Sequence, residues 1–404
     1  VNKETMSTPA MRTRRFGRTE LPMPVFSCGG MRYQFKWSDV PPEEIPADSQ
    51  ANLEATIHRA LELGINHIET ARGYGTSEMQ LGRLLPQLPR EKMIVQTKVA
   101  PHEDPQEFLA TFNKSMDYLK LDHVDLLAFH GINNRELLEQ AKGCLDVARQ
   151  IQKEGRARFL GFSTHGLCGE IVEAIETGEF DYVNLHWYFV NDLNWKAVEA
   201  ATRHDMGVFI ISPSDKGGMF YEPSPKLSEL CSPLSPLAFN DLYCLKRPQV
   251  HTLSIGAARP EDFDEHIAAL EYYDAIEATI APIEARLRSE TERVLSPEWC
   301  ADWFQGIPDY HDLPQQLNVL EIVRLWSYAK ALDLVSWGKM RYNLLGNGGH
   351  WFPGAHVGAL QESDWKTLTE KLQNSPFAAR LPEILREAHA LLLGEEKKRL
   401  SESD

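Results

Sequence analysis

From residue 25 onward, short apolar runs alternate with longer stretches in which apolar positions return every three or four residues. The short runs, at 25–27, 66–69, 93–98, 123–129, 157–162, 181–187, 207–211 and 252–255, read as strands. The longer stretches, at 49–63, 77–86, 105–119, 134–154, 167–177 and 193–204, read as amphipathic helices. Strict alternation of the two implies a parallel sheet. Strand cores such as Phe209-Ile210-Ile211 and Leu126-Leu127-Ala128-Phe129 are apolar throughout, as strands covered on both faces should be. Eight such strands predict an α/β fold of the (β/α)8, or TIM barrel, kind.

Residues 14–27, arranged about Gly17 and two prolines, predict an N-terminal hairpin closing the barrel floor, with Cys28-Gly29-Gly30-Met31 as the loop above the first strand. Residues 212–236 hold five prolines. That segment is too irregular to predict an element of its own and long enough to fold over a ligand. After about Leu270 the alternation stops, and helical patterns follow at 271–294, 316–333, 363–373 and 379–393. The expected organisation is a flexible N-terminus at 1–13, a barrel at 14–270 and a mainly helical C-terminal extension at 271–404.

Composition narrows the function classes. Lys plus Arg is 42 against 58 for Asp plus Glu, a net charge of -16, which argues against nucleic acid or an anionic membrane as partner. No stretch approaches the length and apolarity of a membrane span, and residues 1–13 are polar, so the expected location is cytoplasmic. The six cysteines are scattered without a Cys-x-x-Cys pair, which favours reduced thiols over a disulfide or zinc framework. Monomer and homo-oligomer remain equally open.

The candidate chemistry lies at three successive strand ends. Glu69 and Tyr74 leave one strand together, the next strand ends in Lys98, and the one after in His130. Singly, Tyr74 would read as a rim aromatic and Lys98 as a surface lysine. Jointly, at the carboxyl ends of barrel strands, they read as a site. Chemistry at such a site calls for a group that can give up a proton. A phenol of ordinary pKa about 10, tuned by a nearby cation, would be that donor.

The block Glu69-Thr70-Ala71-Arg72-Gly73-Tyr74-Gly75, together with Lys98 and His130, resembles the aldo/keto reductases, which carry an Asp, Tyr, Lys and His tetrad around an Asp-x-Ala-x-x-Tyr-Gly block. Glu69 is the departure. The resemblance spans roughly 14–270 and implies reduction of a small-molecule aldehyde or ketone, with Tyr74 as proton donor, Lys98 lowering its pKa, Glu69 pairing with Lys98 and His130 orienting the carbonyl. It also implies a nicotinamide coenzyme, NADP(H) with NAD(H) possible. Ser163 matches the Ser of the family's Ser-Asn that holds the carboxamide, Thr164 stands where that Asn is usual, and Asn184 stands where Gln is usual. Ser212, Ser214, Lys216 and Gly217 match its pyrophosphate loop. Gly256 and Arg259 match the segment that holds the 2′-phosphate, and Glu265 would reach the adenine amine; Asp262 replaces an Arg common there. A second reading implied by the same barrel is a catalytically weak, coenzyme-binding sensor or regulatory subunit, as the potassium-channel β subunit illustrates. Finally, Trp299-Cys300-Ala301-Asp302-Trp303-Phe304-Gln305-Gly306-Ile307-Pro308 resembles the cluster segment of aldo/keto reductases with a ferredoxin-like extension, its ligands lost. Since a [4Fe–4S] centre needs about four thiolates, no iron–sulfur cluster and no metal is expected.

Overall fold

The structure is a computed structural model that describes residues 9–394. Most of the flexible segment expected at 1–13 therefore lies outside the described residues. The chain forms two compact units, Val1–Gly217 with Asn240–Ile276, and Gly218–Phe239 with Glu277–Asp404.

In the first unit, β1 (Thr13–Arg15) and β2 (Pro22–Pro24) make an antiparallel hairpin. Eight parallel strands then close a barrel: β3 (Phe26–Gly29), β4 (His67–Glu69), β5 (Ile94–Val99), β6 (Val124–Phe129), β7 (Ala157–Ser163), β8 (Tyr182–Leu185), β9 (Gly207–Ile210) and β10 (Thr252–Ile255). Six helices join successive strands from β3 to β9: α1 (Ala47–Glu62), α2 (Ser77–Leu84), α3 (Pro105–Leu119), α4 (Arg135–Lys153), α5 (Cys168–Glu176) and α6 (Trp195–Arg203). Local chemistry sets their ends. Asp104 accepts from Gln106 N (2.9 Å) to cap α3, whose first residue is Pro105. Asn134 likewise caps α4 through Leu137 N (2.9 Å).

The hairpin sits against the amino ends of the strands. Gly17, at φ +53°, lies so close to the start of β9 that a Cβ there would stand 2.4 Å from the Met206 carbonyl carbon. Phe16 follows it into a buried cluster with Met23, Tyr182 and Phe209. The first barrel strand runs two residues past the expected Ser27, because Cys28 and Gly29 pair with Ile68 and Glu69.

Side chains at i and i+2 share a strand face, and the barrel interior is polar in two consecutive layers. In the lower, Ser27 Oγ contacts His67 Nδ1 (2.6 Å) and Thr252 Oγ1 (2.7 Å), and His67 Nε2 contacts Gln96 Oε1 (3.1 Å). Burial drives His67 down to a pKa of about 3, so it stays neutral. Two residues further along the same strands come Glu69, Lys98 and Ser254, the layer in which the candidate chemistry lies.

The second unit is helical. It includes α7 (Pro225–Cys231), inside the segment expected to be irregular, because Ser224 Oγ accepts from Leu227 N (3.1 Å) and Pro225 opens the turn. The chain passes between units within α8 (Pro236–Leu245) and returns to the barrel, where α9 (Asp264–Ala269) follows β10; α10 (Ile276–Leu295) then leads out. Beyond it come α11 (Pro297–Asp302), α12 (Val319–Leu332), α13 (Val335–Tyr342), α14 (Asp364–Lys371) and α15 (Leu381–Leu392). Trp299 is its aromatic centre, packed on Trp326 and Phe377 and donating Nε1–H to Ser327 Oγ (3.0 Å). Cys300 is half-buried and raised in pKa by burial. Among the described residues no helix is long and apolar enough to cross a membrane, and no group of three metal-ligating side chains comes together.

Candidate active site

Glu69 is the last residue of β4, and Lys98 lies on β5 beside it. Lys98 Nζ forms an ion pair with Glu69 Oε1 and donates to the Thr70 carbonyl (2.8 Å). Gly29 makes room on the other side, since a Cβ there would stand 2.5 Å from Ser254 Oγ and 3.3 Å from Glu69 Oε2. Lys98 is 2% and Glu69 3% exposed, so the pair is taken out of water together. Burial pushes Lys98 well below the usual lysine range, while contact with the carboxylate opposes that shift.

After β4 the chain stays beside β5, Arg72 N donating to the Lys98 carbonyl (2.9 Å), and then turns with Tyr74 N bonded to Ala71 O (3.0 Å). This turn puts the Tyr74 ring against the site: Lys98 Nζ lies 4.6 Å from its centroid, and His130 meets it edge to face at 5.6 Å. Gly73 lies against the same imidazole, where a Cβ would make ordinary contact with His130 Cε1 at 3.4 Å. Glu69, Tyr74, Lys98 and His130 are thus brought together. The electrostatics differ from expectation in one respect. Lys98 faces the ring rather than tuning the phenol downward, and burial pushes the Tyr74 hydroxyl up. The phenol therefore remains protonated at neutral pH, which is the state a proton donor needs.

A second ion chain, absent from the sequence reading, braces this turn. Arg72 pairs with Glu78 (2.5 Å) and with Asp39, and Thr97 Oγ1 donates to Glu78 (2.5 Å). Burial raises the Glu78 pKa, against the nearby Arg72. The available signal was Glu78 in the first turn of α2, directly after the Tyr74 block.

The residues expected to bind coenzyme lie at β7, β8, the segment after β9 and the segment after β10. Ser163 Oγ accepts from Gly131 N (3.0 Å). The Thr164 hydroxyl is committed locally, donating to Ile132 O (2.7 Å) and accepting from Gly166 N (3.0 Å). Asn184, paired in register with Ser163, keeps both Oδ1 and Nδ2 buried with no partner among the described residues. Such an amide offers one donor and one acceptor that a ligand amide could satisfy. After β9, Ser212 takes φ +53°, Gly217 N bonds to its carbonyl (3.2 Å), and Ser214 Oγ is buried without a partner among the described residues. Lys216 Nζ lies 3.0 Å from His165 Nδ1. After β10, Gly256 O accepts from Arg32 (2.5 Å) and Glu265 is exposed on α9. Arg259, exposed, lies 3.3 Å from Asp262 Oδ1, while Asp262 Oδ2 accepts from Ala258 N (2.8 Å) and faces Arg32 (3.3 Å).

Comparison with known proteins gives a consistent picture of the barrel. The model of the aldo/keto reductase family matches residues 27–224. L-galactose dehydrogenase from Arabidopsis thaliana is 25% identical over 287 residues, covering 63% of this chain and 87% of that protein. The NADH-specific methylglyoxal reductase of Escherichia coli is 26% identical over 149 residues, 32% of this chain and 45% of that protein. Among solved structures, an aldo-keto reductase from Bacillus halodurans in its holo form superposes with a TM-score of 0.58 at 19% identity, covering 68% of this chain and 96% of that one.

Proposed function

We propose that the barrel, whose residues 27–224 match the model of the aldo/keto reductase family, reduces an aldehyde or ketone to an alcohol with a nicotinamide coenzyme. The observation that carries this reading is Tyr74, a buried phenol packed beside the Glu69–Lys98 pair and the His130 ring. Bound coenzyme supplies the hydride for the carbonyl carbon. Tyr74 gives its proton to the oxygen, His130 orients that oxygen, and Glu69 holds Lys98 against the Tyr74 ring. The unpartnered Asn184 amide, with Ser163 and Thr164 beside it, fits a carboxamide. Ser212, Ser214, Lys216 and Gly217 fit phosphate oxygens.

The sequence favours NADP(H) through Arg259, with Gly256 and Glu265 around the adenosine. A second reading, NAD(H), is favoured by Asp262, whose carboxylate already takes the Ala258 amide and faces both Arg32 and Arg259. A 2′-phosphate there would meet a like charge. Protein fluorescence titrated with each coenzyme separates the two: tighter NADPH binding that Arg259→Ala weakens selectively supports NADP(H), and tighter NADH binding with NADPH affinity gained in Asp262→Asn supports NAD(H). Oxidation of NADPH and NADH with a panel of aldehydes and ketones tests the activity itself. Saturable coenzyme binding without turnover of any carbonyl would favour the sensor or regulatory reading. The cytoplasm is the location this reading implies. We also read residues 299–308 as a cluster segment rebuilt around aromatics, supported by the packing of Trp299 on Trp326 and Phe377.

A further inference from the structure

We propose that Trp37 is the specificity-determining wall of the substrate site and selects carbonyl compounds that carry an aryl ring next to the carbonyl. The inference rests on the reading of Tyr74 as proton donor. Among the described residues, four large hydrophobic side chains are exposed, and two of them, Phe35 (39%) and Trp37 (47%), lie on the loop after β3. An indole so exposed presents apolar surface to solvent. Trp37 stands beside the catalytic phenol, its ring centroid 6.3 Å from that of Tyr74 at an interplanar angle of 83°. A ring attached to a carbonyl that Tyr74 protonates would therefore lie within the range at which aromatic pairs attract.

The loop is braced where Trp37 leaves it. Phe35 N donates to Thr76 Oγ1 (3.0 Å) and Gln80 Oε1 (2.8 Å), Lys36 N donates to Thr76 Oγ1 (3.1 Å), and Thr76 N returns a bond to Lys36 O (2.9 Å). Gly75, at φ +52°, is what lets the two segments touch, since a Cβ there would stand 1.9 Å from Lys36 O and 2.6 Å from the Trp37 Cα. On the far side, Asp39 pairs with Arg72, which Glu78 holds from beneath, and with Lys114 (2.7 Å). A platform ordered in advance loses little freedom on binding. Asp39, the nearest carboxylate along the loop, is neutralised by two cations, so the wall suits an uncharged ring. Asp39 and Arg72 act through Trp37 and are positioning residues.

The test is the ratio of kcat/KM for benzaldehyde to that for hexanal, measured on the full chain with whichever coenzyme it uses. Trp37→Ala should lower that ratio about tenfold, chiefly by raising the KM for benzaldehyde, and Trp37→Phe should restore most of it. Asp39→Ala should shift the ratio in the same direction by a smaller factor, through a looser loop. A ratio unchanged in Trp37→Ala, in protein that binds coenzyme like the wild type, would overturn the assignment. So would a wild-type enzyme that turns over aliphatic carbonyls and no aryl ones. Failure of the wild type to reduce any carbonyl is a different result: it overturns the reductase reading, and this inference with it.

Discussion

Both units bury ions, and they do so to different effect. In the barrel, the Lys98–Glu69 pair lies at the ends of two strands, with a buried phenol over the ammonium and a histidine against the phenol. In the helical unit, Glu321 on α12 is gripped by two guanidiniums, Arg324 (2.6 Å) and Arg341 (3.1 Å), which themselves lie over the rings of Trp337 and Phe352. Both carboxylate oxygens of Glu321 are taken, one by each arginine. The arginines hold its pKa down against the burial that would raise it. A buried ion pair is thus no sign of chemistry in itself. What distinguishes the barrel pair is its company: a phenol pushed up by burial, and, on β8, a buried amide without a partner among the described residues.

The comparison can be broken most sharply at Lys98. Lys98→Met leaves Glu69 as an uncompensated buried charge and should cost about 3–5 kcal/mol in urea denaturation, with loss of carbonyl reduction. Adding Glu69→Leu should return most of the stability and none of the activity. If stability and activity recovered together, the pair would be structural in both units alike. Glu321→Gln is the matching change in the helical unit. It leaves the buried Arg324 and the half-buried Arg341 facing a neutral amide and should cost about 3 kcal/mol, while kcat/KM stays within about twofold of the wild type. A large loss of activity at native stability would give the helical unit a part in catalysis that the contrast denies it.

The smallest expected effect is a slope. His67 is neutral in the fold because burial lowers its pKa to about 3, whereas the unfolded chain takes up a proton near the ordinary value of about 6.5. Below that pH the unfolded state binds a proton the native state refuses, so stability falls as pH drops, by up to about 1.4 kcal/mol per pH unit. The fall should continue until the pH approaches the folded value. His67→Gln should flatten the curve between about pH 6.5 and 5, and an unaltered slope would remove His67 as its source.

The barrel was legible because several strands, such as β6 and β9, are mainly apolar runs that need no partner to be recognised, and helical patterns alternate with them. Their observed bounds shift at most by the residues that pairing adds, as at Gly29, or removes, as at the end of β8. Tyr74, Lys98 and His130 were legible for a related reason: each lies at or just beyond the carboxyl end of a strand, and strand ends of a barrel converge. The features that escaped depend on contacts between distant segments. Asp39 meets Arg72, and Lys36 meets Gly75, only once the loop after β3 has folded back. The direction of the Tyr74 shift escaped because it follows from burial, which a strand-end lysine does not reveal. Helices α7, α8, α11 and α13 were passed over because prolines or short lengths masked their period, although Ser224-Pro225 and Ser296-Pro297 carry capping signals.

The central claim is that a buried, protonated Tyr74 delivers the proton to the carbonyl oxygen. Tyr74→Phe removes that hydroxyl and keeps the ring that packs against His130 and Trp37. Steady-state reduction by this variant, beside a fluorescence titration of the coenzyme, separates transition-state from ground-state effects. The account predicts that kcat falls by at least about a hundredfold, as loss of a general acid requires, with coenzyme affinity nearly unchanged. Turnover within a few-fold of the wild type would contradict it.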